Sequence, residues 1–450
     1  MAQTPVIKNS VYTQTQLEGL VEQILAEAKQ LGATSAEAAV SIESGLSVTA
    51  RMGEVETIEH NHDKGLGVTV YFGQRKGSAS TSDFGAEAIR DTVAAACRIA
   101  RYTAEDEYAG LADAELMAKE VVDLDLNHPW EIAPERAIEL ALESENAARS
   151  FDVRIVNSEG ASVTSHQAYR VYGNSHGFIG AYGGTRHGIS CCVVGQEDDA
   201  MQRDYWYTSS RDACGLEAPD IVGSKAAERT VKRLGARRIK TCSAPVIFSA
   251  ELASGLISNY LSAIRGGAQY RKSSFLLDCV GEQVFPEFVQ INECPLLPRG
   301  LNSAPFDREG VATRNRELVS NGVAQGYVLD SYSARRLGLQ TSANAGGTRN
   351  VFVSHGDDDI YALCRKMDKG LLITDMMGHG TNMVTGDYSR GAAGYWVENG
   401  EIQYPVEELT VAGNLKQMFM DIVAIGNDVD ERGNVRSGSI LVNNMTIAGE

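Results

Sequence analysis

No stretch of this chain approaches the roughly 18 consecutive apolar residues that a membrane-spanning helix requires, so no membrane partner is expected. The opening stretch MAQTPVIKNSVYTQTQ has no apolar segment of the export-signal type, which points to the cytoplasm. The eight cysteines (Cys97, Cys191, Cys192, Cys214, Cys242, Cys279, Cys294 and Cys364) form no CxxC pair and no regular framework. Reduced, buried thiols are expected rather than a disulfide scaffold. Positive charge is also short: 41 Lys and Arg face 59 Asp and Glu, a formal charge of −18 that repels phosphate backbones. The Arg237-Arg238 and Arg335-Arg336 pairs are too small to make a basic face and read as solvated surface charge, so no nucleic-acid partner is expected. Catalytic signatures are missing too. HExxH, an EF-hand loop and the kinase motif set are all absent, and no His occurs between His187 and His355.

What remains is 43% apolar and 22% charged, the balance of a globular protein, and 450 residues are too many for one ordinary core. Two domains are expected, 1–240 and 241–450. Leu17, Leu20, Val21, Ile24, Ala28 and Leu31 recur at helical spacing, with Gly32 as the stop. Short β-branched and apolar runs at 36–42, 46–52, 67–72 and 77–81 read as an antiparallel meander. Helices at 85–102 and 134–149 flank an acidic connection, and a second strand-rich block at 153–207 leads to a helix at 222–234. KGLGVTVYFGQRKGS and HGFIGAYGGTRHGIS echo each other weakly and suggest an internal duplication. This order makes the N-terminal domain α+β, with antiparallel sheet covered by helices.

Beyond Lys240 glycine is frequent and short strands dominate, so the C-terminal domain is expected to be mainly β. Its helices are expected at about 250–265, 357–367 and 414–422. In YWVENGEIQYPV, residues 395–406, Asn399-Gly400 fits a type I′ turn that sets Val397 opposite Ile402 and Tyr395 opposite Tyr404.

Few residues suggest chemistry. His60 and His62 share one strand face at a spacing that metal sites use, but no third ligand is near and Asp63-Lys64-Gly65 reads as a turn. His379, between Gly378 and Gly380, suits a general base or a plain turn. Asp387, Ser389 and Arg390 precede a glycine step, where an acid and a guanidinium suit either a peptide terminus or a structural ion pair. ANAGGTRN, residues 343–350, has neither the Lys-Ser/Thr of a phosphate loop nor a dinucleotide fingerprint, and reads as a loop. The helix ELASGLISNYLSAIRGG, residues 251–267, buries one apolar side and shows Ser254, Ser258, Asn259 and Ser262 on the other.

Four segments carry a resemblance over nearly the whole chain. NHDKGLGVTVYFGQRKGSASTSDF (61–84), ARYTAEDEYAGLAD (100–113), YRKSSFLLD (270–278) and TGDYSRGAAGYWVENGEIQYPVEELTVAGNL (385–415) resemble the PmbA (TldE) branch of the TldD/PmbA metalloprotease family. The resemblance implies a cytoplasmic subunit of a heterodimeric zinc protease that acts on unfolded peptides, microcin precursors and antitoxins among them. In that family the TldD-type subunit carries an HExxxH zinc motif on the first helix of its C-terminal domain, completed by a later Cys. Counting back from Arg271-Lys272, its two His positions fall on Ser258 and Ala263 and its Glu on Asn259, while IVAIGNDVDERGNVRSGSILV near the C-terminus has no Cys. Neutral Ser and Asn are weak zinc ligands and Ala is none.

The resemblance therefore implies that this chain binds no cofactor and cuts nothing alone, with zinc in its TldD-type partner. A homodimer is an alternative assembly when the partner is absent. His379, Asp387, Ser389 and Arg390 are the candidates for a substrate channel. Two rival functions are a stand-alone homodimeric hydrolase built on His379, Asp387 and Arg390, and a non-enzymatic modulator of DNA gyrase.

Overall fold

Thr13 begins the first helix through a capping box: its hydroxyl accepts from the Gln16 backbone N–H while Gln16 Oε1 accepts from the Thr13 N–H. The structure, a computed structural model, describes residues 6–7 and 12–449. Helix α1 (Gln14–Gln30) buries Leu17, Val21, Ile24 and Ala28, the stripe that the spacing predicts. Strands β1 (Ser35–Arg51), β2 (Glu54–Phe72) and β3 (Arg75–Thr81) follow, then α2 (Ala86–Tyr102). The same order recurs in α3 (Pro134–Arg149), β4 (Ile155–Asn174), β5 (Ile179–Glu197), β6 (Ala200–Ser210) and α4 (Pro219–Lys232). The two sets join antiparallel at β1 and β4 into one six-stranded sheet, β3-β2-β1-β4-β5-β6. The two echoing sequence segments lie at different places in this order, one across the β2–β3 hairpin and one running from the β4–β5 turn into β5.

The strands run much longer than the apolar runs suggest. Residues 54–64 of β2 are exposed throughout and are held by backbone pairing with β1, so they carry no apolar alternation. Asp63-Lys64-Gly65 are therefore strand, paired with residues 41–43, and not the expected turn.

One face of the sheet is covered. Val40, Ile42, Val68 and Val70 pack under α1 and α2 with Ile89 and Val93, and Val48, Val163, Ile189 and Cys191 pack under α3 and α4. Alternation puts Gly65, Gly67, Gly180, Gly184 and Gly188 on the other face; Gly65 and Gly67 face open space, whereas Gly180 lies under Phe178 and Phe306 and Gly184 under Arg211.

The rest of the chain is sheet-rich with few helices. Strand β7 (Cys242–Phe248) runs into α5 (Ala250–Ala263), and Gly266-Gly267, expected only as a stop, open the short α6 (Gly266–Tyr270). After these come β8 (Ile291–Glu293), β9 (Arg316–Ser320), β10 (Val323–Ala324), α7 (Ser331–Arg336), β11 (Val351–Val353) and α8 (Ile360–Met367). The last set is β12 (Gly370–Met377), β13 (Asp387–Glu398), β14 (Glu401–Asn414), α9 (Leu415–Met420), β15 (Ile422–Ile425), β16 (Val435–Arg436) and β17 (Ile440–Ala448). They form a five-stranded sheet, β10-β9-β8-β11-β16, and a six-stranded sheet, β14-β13-β12-β7-β17-β15, in which β14 also pairs with β17 and curls the sheet back on itself.

The fold is thus α+β. Asn399 and Gly400 take φ of 55° and 73° and turn the β13–β14 hairpin as expected, with Val397 opposite Ile402. A bulge after Trp396 then shifts the register, so Trp396 faces Tyr404 and Tyr395 faces Pro405. No helix among the described residues is long and apolar enough to cross a membrane.

Candidate functional site

Helix α5 leaves the end of β7 and buries Ala253, Leu256, Ile257, Tyr260, Leu261 and Ala263 in a core shared by both C-terminal sheets. Tyr260 fixes its depth: the ring meets Phe285 edge-on at 5.1 Å and the hydroxyl donates to the Leu318 carbonyl at 3.1 Å. On the open side Ser254, Ser258 and Ser262 recur every four residues. Ser254 Oγ donates to the Glu251 carbonyl at 2.9 Å, Ser258 Oγ to that of Ser254 at 2.7 Å, and Asn259 Nδ2 to that of Gly255 at 3.0 Å.

The three positions matched to a zinc motif do not converge. Ser258 is exposed, Asn259 is half-buried, and Ala263 lies fully in the core with its carbonyl accepting from Gln269 and Ser274. Five residues are about 140° around a helix, which turns Ala263 away from Ser258. The cavity of about 260 Å³ beside this face is lined by Ser254, Ser258, Ser262, Arg265, Thr348 and Asn434 among others. Neutral hydroxyls next to a guanidinium make a poor donor set for a dication, so these residues do not fit zinc. Among the described residues no group of three or more His, Cys, Asp or Glu side chains is placed to hold a metal ion. His60 and His62 sit in β2 opposite Leu46 and Ser44, both exposed. Cys191 is buried, and burial pushes its thiol up to about 12; all eight cysteines are unpaired thiols.

The second group of candidates is divided by its strand. Asp387 and Ser389 lie on the exposed face of β13, whereas Arg390 shares the other face with buried Tyr388. Asp387 accepts from Thr385 Oγ1 at 2.6 Å, and no ion pair joins it to Arg390 among the described residues. His379 is exposed on the turn after β12. Its neighbour Gly380 accepts from Ser389 N–H at 2.7 Å, and a β-carbon there would stand 1.7 Å from the Ser389 oxygen, so only glycine allows this approach.

Two features were not read from the sequence. The first is a run of three cavities. One of about 830 Å³ lies on the sheet face opposite the helices with Arg308 on its rim, and Arg308 also lines a second of about 530 Å³. Arg265 and Ser262 line that second cavity and the one beside α5, so the three cavities adjoin, through shared lining residues, in a row of surface concavities from the sheet face to the serine face, here called the groove. The second is an ionic cluster at the head of α5. Glu251 pairs with Arg229 of α4 and with Arg432, each at 3.0 Å, and Asp204 of β6 pairs with Arg229 and Arg233 at 3.3 and 3.6 Å. Arg335, expected as solvated charge, is half-buried and donates to the carbonyls of Tyr108, Gly110 and Leu111.

Comparison with known proteins matches three family models along the chain: PmbA/TldA metallopeptidase domain 1 over residues 36–100, the central domain over 127–234, and the C-terminal domain over 241–449. The chain is 50% identical to the metalloprotease PmbA of Escherichia coli O157:H7 over 415 residues, 92% of either chain. Among solved structures, a Bacteroides thetaiotaomicron protein named as a candidate modulator of DNA gyrase aligns with a TM-score of 0.92 at 27% identity, covering 97% of this chain and all of that one. TldE from Thermococcus kodakarensis aligns with a TM-score of 0.84 at 20% identity, covering 96% of this chain and all of that one.

Proposed function

The chain belongs to the PmbA/TldD metallopeptidase family, and we propose that within it this protein is the non-catalytic, TldE-type subunit of a two-chain zinc protease. The observation that carries this reading is the make-up of α5. At the positions matched to the active subunit's two imidazoles and its carboxylate, this helix has Ser258, Ala263 and Asn259, each neutral. A TldD-type partner supplies the zinc-bound water and the general base. This chain supplies walls: the first cavity is bordered by residues 78–81 of β3, an edge strand of the sheet, where an extended peptide would add by backbone pairing, which is how an unfolded substrate would be told from a folded one.

The test is to purify the chain alone and together with a TldD-type subunit in the cytoplasm of an expression host, then measure zinc content and cleavage of a disordered peptide. Stoichiometric zinc and cleavage are expected only in the mixed complex. Zinc or turnover in the chain alone, as homodimer or monomer, would refute the reading. The rival hydrolase built on His379, Asp387 and Arg390 needs groups that β13 holds on opposite faces. Its own signature would be loss of turnover by the isolated chain on His379→Ala.

A further inference from the structure

The chain carries a formal charge of −18, yet the 530 Å³ cavity is lined by three guanidinium groups and one carboxylate. Arg265 and Arg308 are both exposed and form no ion pair among the described residues. They come from places 43 residues apart in the chain, yet converge over one loop. Arg308 Cδ stands 2.9 Å from where a β-carbon would sit on Gly346, and Arg265 Nη2 stands 3.1 Å from the same point on Gly347. Gly346 and Gly347 take φ of 99° and 103°, so the loop presents backbone and no side chain beneath the two groups. Arg271 lines the same 530 Å³ cavity, leaning on the Tyr270 ring at 5.2 Å. The one carboxylate on that wall, Asp330, is turned to capping α7, where it accepts from the Ser333 N–H at 2.7 Å and from the Ser333 hydroxyl.

We infer that Arg265 and Arg308 form a carboxylate-binding gate, which selects peptides that carry an acidic side chain or a free C-terminus as they pass from the sheet face to α5. The inference rests on the proposed peptide-channel reading and adds the substrate class. Arg308 borders the first and second cavities and Arg265 the second and third, so a chain threading the groove meets both. A guanidinium that donates to a carboxylate forms the stronger, charge-assisted kind of hydrogen bond. A long polyanion is the less suitable ligand, because it would bring its remaining phosphates against an acidic molecule.

The test is equilibrium binding of fluorescent disordered peptides to the full chain, alone and in the mixed complex. Four peptides of one sequence are compared: with Glu, with Glu changed to Gln, with a free C-terminus, and with an amidated C-terminus. Loss of roughly tenfold or more in affinity is expected when the recognised carboxylate is neutralised, and the two pairs tell side chain from terminus. Arg265→Gln with Arg308→Gln should erase that difference, bringing the charged and neutral peptides to the same affinity. Both side chains are exposed, and thermal melts establish that the variant is folded. Equal binding of charged and neutral peptides would overturn the inference, as would displacement of the acidic peptide by a single-stranded oligonucleotide at equal concentration. Zinc content and cleavage of the neutral peptide by the complex are read separately, so the gate can fail while the subunit assignment stands.

Discussion

Arg432 lies over the ring of Trp206, its guanidinium carbon 4.0 Å from the ring centroid, and thereby ties the loop between β15 and β16 to β6. The same group donates to Asp430 at 2.8 Å, to Glu251 at 3.0 Å and to the Tyr207 carbonyl at 3.1 Å. Its side chain is 13% exposed and that of Glu251 22%, so these charges are poorly hydrated. Arg432→Ala would strand Glu251 and Asp430, at a cost of about 3 kcal/mol. Arg432→Lys keeps the charge but loses the fork and most of the stacking, so it should recover only part of this. Urea unfolding of the three proteins decides it; equal midpoints would mean that the cluster contributes nothing.

Glu145 of α3 is fully buried and receives two backbone N–H groups from the β1–β2 turn, Met52 at 2.6 Å and Gly53 at 2.8 Å. A charged acceptor of two amides from deep in a helix pins that turn to the helical layer. Glu145→Ala should cost about 2 kcal/mol, and Glu145→Gln about half of that because only one oxygen can still accept. Hydrogen exchange followed by mass spectrometry should show faster exchange in the residues 50–56 peptide of each variant. Unchanged exchange there would show that the turn holds without the carboxylate.

The helices at 14–30, 86–102 and 134–149 were readable because each buries one stripe, and burial writes itself into residue spacing. The outer part of β2 was not, because residues 54–64 are exposed and their order comes from backbone pairing alone. Helices α6 and α7 have five and six residues, too few for a period to show. On α5 the serine face was visible as a polar stripe, but the burial of Ala263 was not, since its position came from counting along a motif and not from the packing around it. The Arg432 cluster draws on β6, α4, α5 and the segment 430–432, and the paired arginines of the groove on segments around 265 and 308. Each member is an ordinary charged residue locally, and only the fold makes it part of a site.

Gly223 in α4 faces Ser144 in α3 so closely that a β-carbon would stand 1.9 Å from the Ser144 carbonyl oxygen. Alanine normally stabilises a helix interior by about 1 kcal/mol over glycine. Here the clash with backbone wins, and Gly223→Ala should be destabilising by about 2 kcal/mol as the two helices separate. Gly19 in α1 is the control, since nothing lies within 4 Å of its added carbon. Gly19→Ala should raise the melting temperature while Gly223→Ala lowers it. The same sign for both would show that helix propensity, and not helix contact, governs these positions.

Glu309 gives the protein a pH dependence whose sign is fixed by its surroundings. Burial pushes its carboxyl up from 4.5 to about 7, with the Asp307 charge acting the same way and Ser331, whose N–H donates to it, opposing. The folded state therefore keeps this proton at a pH where the unfolded chain has released it. The stability contributed by neutral Glu309 is complete below about pH 4.5 and is lost as pH rises through about 7. Glu309→Gln cannot ionise, yet its amide oxygen still accepts from the Ser331 N–H. The variant should match the wild type near pH 4.5 and exceed it at pH 8, by up to about 3 kcal/mol for a shift of this size. Urea unfolding at half-unit steps from pH 4.5 to 8 measures the difference between the two slopes. Parallel slopes would mean that Glu309 is already ionised in the folded protein and that its buried charge is balanced by its neighbours.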